Sequence, residues 1–263
     1  MSTRPSTRQW DPNQYHKFSD HRLRPALELL DRVPIAAPSV IYDLGCGTGN
    51  ITRIISDRWP KADLTGIDNS LEMLEEAGAG EGSIEWDHAD IHTWTPDASP
   101  DLIYSNATLQ WVEAHEDLFP RLASLLSPEG ALAVQMPLSW GMPSHVLMRD
   151  TLANEGPLGS EELRGKVGRK WVEDADVYYD LLVGRTSHLD IWETEYVQVL
   201  EGEDPVLEWV KGTGLRPILE GLADREREAF LEDYGQRLRV AYPRRPDGRT
   251  LYPFRRLFIV ATV

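Results

Sequence analysis

The chain has 263 residues, of which 41% are hydrophobic, enough to build one full core with room for an elaboration. Its 27 basic and 43 acidic residues give a net charge of −16, which argues against a nucleic-acid substrate because phosphate contacts need a basic surface. The single cysteine excludes an internal disulfide and a multi-cysteine zinc site, so we predict no metal.

Hydropathy and composition favour a cytoplasmic protein. No apolar run reaches the roughly 18 residues that a membrane span needs. The first ten residues lack the apolar stretch of a secretory signal. A lone cysteine fits a reducing compartment. We therefore expect no membrane partner and no nucleic-acid partner, and the composition leaves both a monomer and a homodimer open.

The first predicted element is helical and covers residues 14–32. Pro25 predicts an interruption, because proline lacks the N–H that a helix interior needs, and a second helix would begin there. The predicted apolar stripe consists of Leu23, Leu27 and Leu30. We expect residues 1–36 to form a helical cap.

A glycine-rich turn follows the first predicted strand. Residues 40–42 are apolar and run into Asp43, after which Gly45, Gly47 and Gly49 occupy every second position before a helix-like segment. Glycine lets the backbone turn tightly and approach a ligand with no Cβ in the way. The free N–H groups of the following helix then point at that ligand.

The spacing of this turn distinguishes between cofactors. A dinucleotide site reads G-x-G-x-x-G and places a pyrophosphate on the helix N-terminus. Here Asp43 precedes an alternating glycine pattern, and an acid at that position repels a pyrophosphate but suits a cationic amine. S-adenosylmethionine carries an amine and a sulfonium and no phosphate. The turn resembles the first motif of the Rossmann-like methyltransferases; the alternative is a plain glycine-rich turn.

Three further strand ends carry ligand-type residues, and open α/β sheets bind ligands at the carboxyl ends of their strands. Residues 64–68 end in Asp68, which can accept two ribose hydroxyls, and Asn69 and Ser70 offer caps for helix 71–77. The next strand, 83–86, leads to Asp90 and Ile91. The fourth, 101–105, ends in the segment Asn106-Ala107-Thr108-Leu109-Gln110-Trp111.

The rest of the chain completes an α/β fold. We predict a helix over 116–126, strands over 131–135, 190–200 and 254–263, loops and short helices over 137–180, and helices over 203–242. The sum is one domain, 1–263, with seven strands and helices on both faces. Two inserts, 137–185 and 202–250, lie where they could cover the active site.

Several segments together identify a narrower resemblance. The chain resembles the trans-aconitate methyltransferase family, in order and over nearly its whole length. The segments that carry this resemblance, besides the glycine turn, are FSDHRLRP, NATLQWV, AVQMP, VKGTGLRP and FRRLF. The resemblance implies a class I methyltransferase sheet with an antiparallel last strand. It also implies transfer of a methyl group from S-adenosylmethionine to a carboxylate of a small polycarboxylic acid, trans-aconitate first, leaving S-adenosylhomocysteine.

The resemblance also implies a set of cofactor contacts, with Met73 facing the adenine and Asp90 its amino group. The predicted cofactor residues are Tyr15, Phe18, Asp43, Gly45, Cys46, Gly47, Asn50, Asp68, Asn69, Met73, Asp90, Ile91, Asn106 and Leu109. Cys46 lies inside the glycine turn, where a small buried filler is a better interpretation than a nucleophile.

The identity of the acid stays open at this point. Residues 156–175 match the family weakly, and related enzymes methylate other dicarboxylates, including aromatic ones. A carrier-bound acid would need a basic docking patch, for which the candidates are Arg237, Arg239, Arg244, Arg245 and Arg249. A binding module that lost turnover is the third alternative, and the intact acids Asp43, Asp68 and Asp90 argue against it.

A carboxylic acid is already ionised at neutral pH, so we predict no general acid or base. The acid must instead be held, which arginine does bidentately, and oriented in line with the methyl group. The predicted substrate residues are Arg22, His145, Arg149, Tyr178, Tyr179, Arg216 and Arg256. Gln110 and Trp111 are predicted to position the reactants.

Two choices within this set rest on geometry. Arg22 is preferred to Arg24 because it shares a helical face with Tyr15 and Phe18. Neighbouring residues of a strand point to opposite faces, so only one of Arg255 and Arg256 can serve a pocket. One of Tyr178 and Tyr179 is expected to pack in the core.

Overall fold

The computed structural model describes residues 19–80, 82–153 and 158–263, with the side chains of residues 19–22 outside the description. In this part of the chain seven strands form one sheet in the order β3-β2-β1-β4-β5-β7-β6. The strands are β1 (Val40–Leu44), β2 (Asp63–Asp68), β3 (Glu85–His88), β4 (Leu102–Asn106), β5 (Ala131–Pro137), β6 (His188–Leu200) and β7 (Thr250–Thr262).

The sheet is parallel except at its far side. β1 lies parallel to β2 and β4, and β4 lies parallel to β5. β5 and β7 are antiparallel, with Ala131 opposite Thr262 and Pro137 opposite Arg256. The predicted α/β fold with an antiparallel last strand is therefore confirmed. The carboxyl ends of β1, β2, β4 and β5 share one edge of the sheet, and the first half of β7 lies at that same edge.

Ten helices accompany the strands in the described part of the chain. They are α1 (Ser19–Asp31), α2 (Asn50–Arg58), α3 (Leu71–Gly78), α4 (His115–Leu125), α5 (Pro143–Ala153), α6 (Glu161–Val167), α7 (Ala175–Leu182), α8 (Pro205–Lys211), α9 (Arg216–Gly221) and α10 (Asp224–Ala241), with a 3₁₀ turn at Leu109–Trp111. None of these described helices is long and apolar enough to cross a membrane.

The described residues divide into two compact units. Residues 23–142, 169–197 and 253–263 form the sheet unit, and residues 19–22, 143–168 and 198–252 form the helical unit. In the helical unit, α10 packs against α5 and α8. Its core is aromatic, with Phe230 and Tyr234 on one face of α10 and Tyr252 also buried.

Successive side chains of the central strands point to opposite faces of the sheet, and each face forms one hydrophobic core of the sheet unit. On β5, Leu132, Val134 and Met136 join the cluster that includes α4 and α7. Ala131 and Ala133 join the opposite cluster, with α1 and α2. A strand buried on both faces reads as a continuous apolar run, and β5 does so except at Gln135. Each fully buried leucine contributes about 1.5–3 kcal/mol, so these clusters hold the helices on the sheet.

The predicted break at Pro25 is wrong. α1 runs through Pro25 without interruption, and its buried side chains include Ala26, Leu29 and Leu30, while Leu23 and Leu27 are only half-buried. Proline removes one backbone hydrogen bond from a helix interior. Burial of this apolar face on the sheet offsets that loss, and the Tyr104 hydroxyl donates to the Ala26 carbonyl at 2.8 Å.

The last strand begins earlier than predicted, at Thr250 instead of residue 254. Pro253 lies in the first half of β7, and a proline is unfavourable inside a paired strand. The register of β7 with β5 begins at Arg256, so Pro253 interrupts none of these pairs. Proline is tolerated where no ladder hydrogen bond is needed.

Candidate active site

The glycine turn after β1 is held from below by β2. The Gly45 N–H donates to the Ile67 carbonyl at 2.7 Å, and the Cys46 N–H donates to the same oxygen at 3.0 Å. Gly45, Gly47 and Gly49 all have positive φ, between 55° and 75°. L-residues rarely adopt this region, so the alternating glycines are required by the backbone path.

The three glycines differ in what lies where a side chain would begin. A Cβ on Gly45 would lie 2.1 Å from the Thr108 side chain, and a Cβ on Gly49 would lie 2.4 Å from Trp86. A Cβ on Gly47 would meet no described atom within 4 Å. Gly45 and Gly49 are therefore packed against protein, whereas Gly47 faces open space.

Asp43 is a buried acid beneath this turn. Asp43 is 3% exposed, and its Oδ2 accepts a hydrogen bond from the Thr52 hydroxyl at 2.6 Å. Burial raises the pKa of Asp43 to about 7, and the nearby charge of Asp68 acts in the same direction, against the Thr52 hydrogen bond. Asp43 therefore changes charge near neutral pH.

The Asp68 carboxylate at the end of β2 is bound to the backbone on both sides. Oδ2 accepts the Gly47 N–H at 2.9 Å, and Oδ1 accepts the Ser70 N–H at 2.9 Å. Each carboxylate oxygen has two lone pairs, so both can still accept a ligand hydroxyl. Ser70 caps α3 as predicted, with its Oγ accepting the Met73 N–H at 3.3 Å.

Cys46 behaves as a small apolar filler. The residue is buried, and burial together with the charges of Asp43 and Asp68 raises the pKa of its thiol. The thiolate is the nucleophilic form of cysteine. A thiol kept protonated in this way is a poor nucleophile.

The other predicted cofactor residues of the first three strands lie around the same edge. Asn50 is exposed at the start of α2, and its Nδ2 donates to the Thr48 hydroxyl at 3.2 Å. Asp90 is exposed, and its Oδ1 accepts a backbone N–H at 2.9 Å, while the next residue, Ile91, is buried. Asn69 is exposed and Met73 half-buried.

The turn after β4 contains a strained residue and two unsatisfied side-chain atoms. Ala107 has a φ of 55°, which is uncommon for any residue but glycine. Gln110 Nε2 donates to the Ala107 carbonyl at 2.6 Å, whereas Gln110 Oε1 and Asn106 Oδ1 are buried without a hydrogen-bond partner among the described residues. Backbone strain of this kind clusters at ligand sites. Leu109 is buried, and Trp111 is 54% exposed.

A buried hydrogen-bond chain fixes this turn to α7. The His115 Nε2–H donates to the Leu109 carbonyl at 2.9 Å, because a carbonyl can only accept. His115 Nδ1 must then accept, and it receives the Tyr178 hydroxyl at 2.7 Å. Tyr178 in turn accepts the Glu173 N–H at 3.1 Å. Burial lowers the pKa of His115, which keeps this neutral tautomer.

Within each pair of neighbouring candidates, on α7 and on β7, one side chain is buried and the other is exposed. Tyr178 is fully buried in the chain just described, whereas Tyr179 is 51% exposed, so Tyr178 is the packing member of the pair. Arg255 is exposed and forms an ion pair with Glu193. Arg256 is 5% exposed, and its Nη1 donates to Gln135 Oε1 at 3.0 Å.

The remaining substrate candidates lie in the helical unit. Burial, and then the charge of Arg149, lower the pKa of His145 to about 4, so His145 is neutral at physiological pH. Arg149 is half-buried, and burial lowers its pKa too. Arg216 is exposed and pairs with Glu220 at 2.7 Å. This set therefore contains one half-buried cation, Arg149, and one exposed ion pair.

Four of the five arginines of the hypothetical docking patch already have acidic or carbonyl partners. Arg237 pairs with Asp233 at 3.0 Å, and Arg239 pairs with Asp204 at 2.7 Å. Arg249 pairs with Glu201 at 2.9 Å, and Arg244 donates to two backbone carbonyls. This surface is a charge-paired network, which weakens the carrier-protein alternative. Tyr15, Phe18 and the Arg22 side chain lie outside the described residues.

Comparison with known proteins identifies the family. A family profile described as a methyltransferase domain matches residues 41–130. A trans-aconitate 2-methyltransferase of Azoarcus sp. is 46% identical over 96% of this chain and 98% of its own length. The enzymes of that name from Streptomyces avermitilis and Escherichia coli are 47% and 43% identical, over 96% and 97% of their lengths. The chain belongs to the trans-aconitate 2-methyltransferase family.

Membership in this family confirms the predicted class of enzyme, a methyltransferase. Solved structures confirm the fold at low sequence identity. The YcgJ protein of Bacillus subtilis has a TM-score of 0.59 at 15% identity, covering 91% of this chain and 98% of its own. Phosphoethanolamine N-methyltransferase 2 of Haemonchus contortus has a TM-score of 0.53 at 14% identity, covering 91% of this chain and 52% of its own.

Sequence reasoning missed two residues that the structure places beside the candidate site of this chain. Gln135 lies in the quoted segment AVQMP, as the one polar side chain of an otherwise apolar strand, and that interruption was the available signal. His115 was left outside the predicted helix 116–126, although it is the first residue of α4. Nothing local in the sequence shows that His115 supports the turn at Leu109.

Proposed function

We propose that this chain transfers a methyl group from S-adenosylmethionine to a carboxylate of trans-aconitate and so forms a methyl ester. The observation that carries the proposal is the near-complete match to several trans-aconitate 2-methyltransferases at 43–47% identity. The match extends through the helices and strands outside the shared methyltransferase domain, which are the elements that a substrate pocket would use.

The residues at the carboxyl edge of the sheet fit the cofactor. Gly47 leaves open space beside two N–H-bonded carboxylate oxygens of Asp68, a suitable arrangement for a ribose with two hydroxyls. Asp43 lies below the turn, and a cationic amine beside it would favour the ionised form of this buried acid, whose pKa burial raises. S-adenosylmethionine, when bound, supplies an electrophilic methyl group on a sulfonium.

The acceptor requires positioning and no proton transfer. A carboxylate has a pKa near about 4, so it is already the nucleophilic anion at neutral pH. Buried cations and amides must hold it and exclude water, and alignment alone can supply about 7–11 kcal/mol of a barrier. Trp111, Gln110 and the strained turn at Ala107 lie after β4, and this position supports such a role for them.

The activity is tested with purified protein, cofactor labelled on the methyl group and a panel of di- and tricarboxylic acids. We expect label in a base-labile ester of trans-aconitate, identified by mass spectrometry. The single-turnover rate should be nearly flat from about pH 6 to 9, because the acceptor needs no base. A steep rise through that range, an N-methyl product, or an ester only of another acid would contradict the proposal.

The cofactor assignment has its own test. Asp68→Ala should weaken S-adenosylmethionine binding by about tenfold or more, because hydrogen bonds to a charged acceptor contribute about 1.5–3 kcal/mol each. Asp63→Ala, at the exposed start of the same strand, is the matched control and should leave the affinity unchanged. Calorimetric titration that shows equal affinities for both variants would remove Asp68 from the site.

A further inference from the structure

The turn after β4 lies directly against the glycine turn after β1. The strand order of the sheet reverses between these two strands, because β2 and β3 lie beyond β1 whereas β5 lies beyond β4. Ligands of open α/β sheets bind at such a switch point, outside the carboxyl ends of the strands. The Thr108 hydroxyl donates to the Gly45 carbonyl at 3.1 Å and so joins the two turns. Residues 106–111 therefore border the crevice at the switch point.

This turn keeps two side-chain acceptors without a donor. The backbone carbonyls of residues 106–109 each have a donor of the chain within hydrogen-bond distance. Gln110 Nε2 donates to the Ala107 carbonyl at 2.6 Å, and a carbonyl can only accept, so the amide oxygen of Gln110 must point away from it. This oxygen, Oε1, and Asn106 Oδ1 are buried and have no hydrogen-bond partner among the described residues.

The chemistry of these two oxygens selects between the two reactants. A carboxylate at neutral pH has acceptors and no donor, so it cannot pair with Gln110 Oε1 or Asn106 Oδ1. The negative ends of the two amide dipoles favour a positive group instead. S-adenosylmethionine has two such groups, an ammonium and a sulfonium. Because a buried acceptor without a donor is unfavourable, the two oxygens fit the cofactor and do not fit the acid.

The positions of two acids distinguish between the two cationic groups. The ribose is proposed to lie at Asp68, at the end of β2, and the sulfur is joined to the ribose through one carbon. The ammonium already has a proposed partner in Asp43, at the end of β1. The sulfonium has no N–H group, but it polarises the C–H bonds of its methyl group, and C–H groups donate weakly to oxygen. Free amide oxygens at the end of β4 match this group.

We propose that Gln110 Oε1 and Asn106 Oδ1 recognise the methyl-bearing sulfonium of the cofactor, and so strengthen binding of S-adenosylmethionine relative to S-adenosylhomocysteine. The proposal rests on the proposed function and adds which atoms contact the charged methyl group. S-adenosylhomocysteine lacks both the methyl group and the charge, so the pair does not stabilise it. The two amides then act on the cofactor's side of the reaction, and other groups hold the acid.

The pair is tested by calorimetric titration of S-adenosylmethionine and S-adenosylhomocysteine, each without acid. The measured quantity is the ratio of the two Kd values in one protein. Asn106→Leu and Gln110→Met should each shift this ratio against S-adenosylmethionine by about twofold to fivefold, the range for one C–H···O contact. Asn106→Asp keeps the shape and adds a full negative charge, so it should shift the ratio at least as far in the opposite direction. Gln236→Met, at an exposed position of α10, is the control and should change neither Kd.

A third ligand separates the sulfonium from the ammonium. In sinefungin, a carbon that bears an amine replaces the sulfur and its methyl group, while the ammonium of the amino-acid end is retained. Charged N–H donors bind amide oxygens more strongly than C–H groups do. Asn106→Leu and Gln110→Met should therefore weaken sinefungin binding by about tenfold or more, with S-adenosylhomocysteine within twofold of wild type. Equal losses for all three ligands would place the oxygens at the ammonium and overturn the proposal.

Opposite shifts from Asn106→Leu and Asn106→Asp cannot both come from damage to the fold, which would weaken every ligand alike. Unchanged ratios in all three variants at Asn106 and Gln110 would overturn the proposal. Failure of all three variants to fold would assign the two amides to stability and overturn it as well. Absence of methyl transfer to trans-aconitate by the wild type would overturn the proposed function, whereas these Kd values, measured without acid, would still decide the inference.

Discussion

At the scale of single residues, environment separates side chains that look equivalent in the sequence. Tyr178 and Tyr179 are neighbours of the same type, yet one is buried in a hydrogen-bond chain and the other is half exposed. Asp43 and Asp68 both lie near the carboxyl ends of strands, yet burial raises the pKa of Asp43 to about 7, whereas both oxygens of Asp68 accept backbone N–H groups. Each difference leads to a measurable consequence.

Asp43 should make stability depend on pH. Its pKa is raised in the folded state from the usual 3.8 to about 7, so the folded chain retains a proton that the unfolded chain releases between those values. The contribution of Asp43 to the free energy of unfolding is therefore fully present below about pH 4. It falls by about 4 kcal/mol as the pH rises to about 7. Asp43→Asn removes this titration without a large change of shape.

The measurement is urea denaturation of the cofactor-free protein at pH 4, 5.5 and 7 for wild type and for Asp43→Asn. Taking the difference between the two proteins cancels the other titrating groups. We expect wild type to lose stability relative to the variant as pH rises. A constant difference across this range would show that Asp43 titrates at its ordinary pKa.

Tyr178→Phe should destabilise the sheet unit. Loss of the hydroxyl leaves His115 Nδ1 and the Glu173 N–H without that partner, at a cost of about 1–3 kcal/mol. Tyr179→Phe removes the same atom from an exposed ring and should change stability by less than about 0.5 kcal/mol. Equal midpoints of chemical denaturation for the two variants would argue against the hydrogen-bond chain.

At the scale of elements, the glycine turn combines one position that faces protein with another that faces open space. Gly45 is closed off by the Thr108 side chain from the turn after β4, and so couples two strand ends. Gly47 has no described atom near its missing Cβ. The same substitution at the two positions should therefore fail in different ways.

The Gly45→Ala variant should be strongly destabilised. A left-handed backbone costs about 1–2 kcal/mol for an L-residue, and the overlap with Thr108 adds about 1–3 kcal/mol. Gly47→Ala should lose only the first of these amounts and remain folded. It should nevertheless lose S-adenosylmethionine affinity by about tenfold or more, since its methyl group would stand in the proposed cofactor space. Thermal melting and calorimetric titration of both variants separate the two effects; cofactor binding to Gly47→Ala at wild-type strength would place the cofactor elsewhere.

At the scale of the whole molecule, the net charge of −16 opposes a polycarboxylate and attracts a cation. Salt screens such a field over about 8 Å at physiological ionic strength, while a buried hydrogen-bonded arginine is screened much less. An acid substrate must therefore be captured by short-range contacts against the long-range field, and the buried Arg256 is one candidate for such a contact.

The surface field should affect the association rates of the cofactor and of the acid in opposite directions. S-adenosylmethionine carries net positive charge, so its association should slow as salt rises from about 20 to 300 mM, and association of trans-aconitate should accelerate. Stopped-flow fluorescence measures both rates on the same protein, and nine tryptophans provide the signal. If both rates respond to salt in the same direction, the surface field does not govern encounter.

Much of this protein could be predicted from the sequence because the informative residues are close together in the chain. The glycine turn with Asp43, the strand ends at Asp68 and Asn106, the seven strands and the family all follow from local patterns. The interruption at Pro25 was wrong for the opposite reason: burial of Ala26, Leu29 and Leu30 on a distant sheet outweighs a local helix signal.

The tertiary structure alone decided which members of the candidate pairs are placed to act. Strand alternation showed that Arg255 and Arg256 oppose each other, but only the packing of the sheet shows that Arg256 is on the covered face. Its partner Gln135 is 121 positions away, and Tyr178 is 63 positions from His115. Hydrogen bonds and burial between such distant residues depend on which strands and helices become neighbours, and short-range sequence patterns carry no record of that.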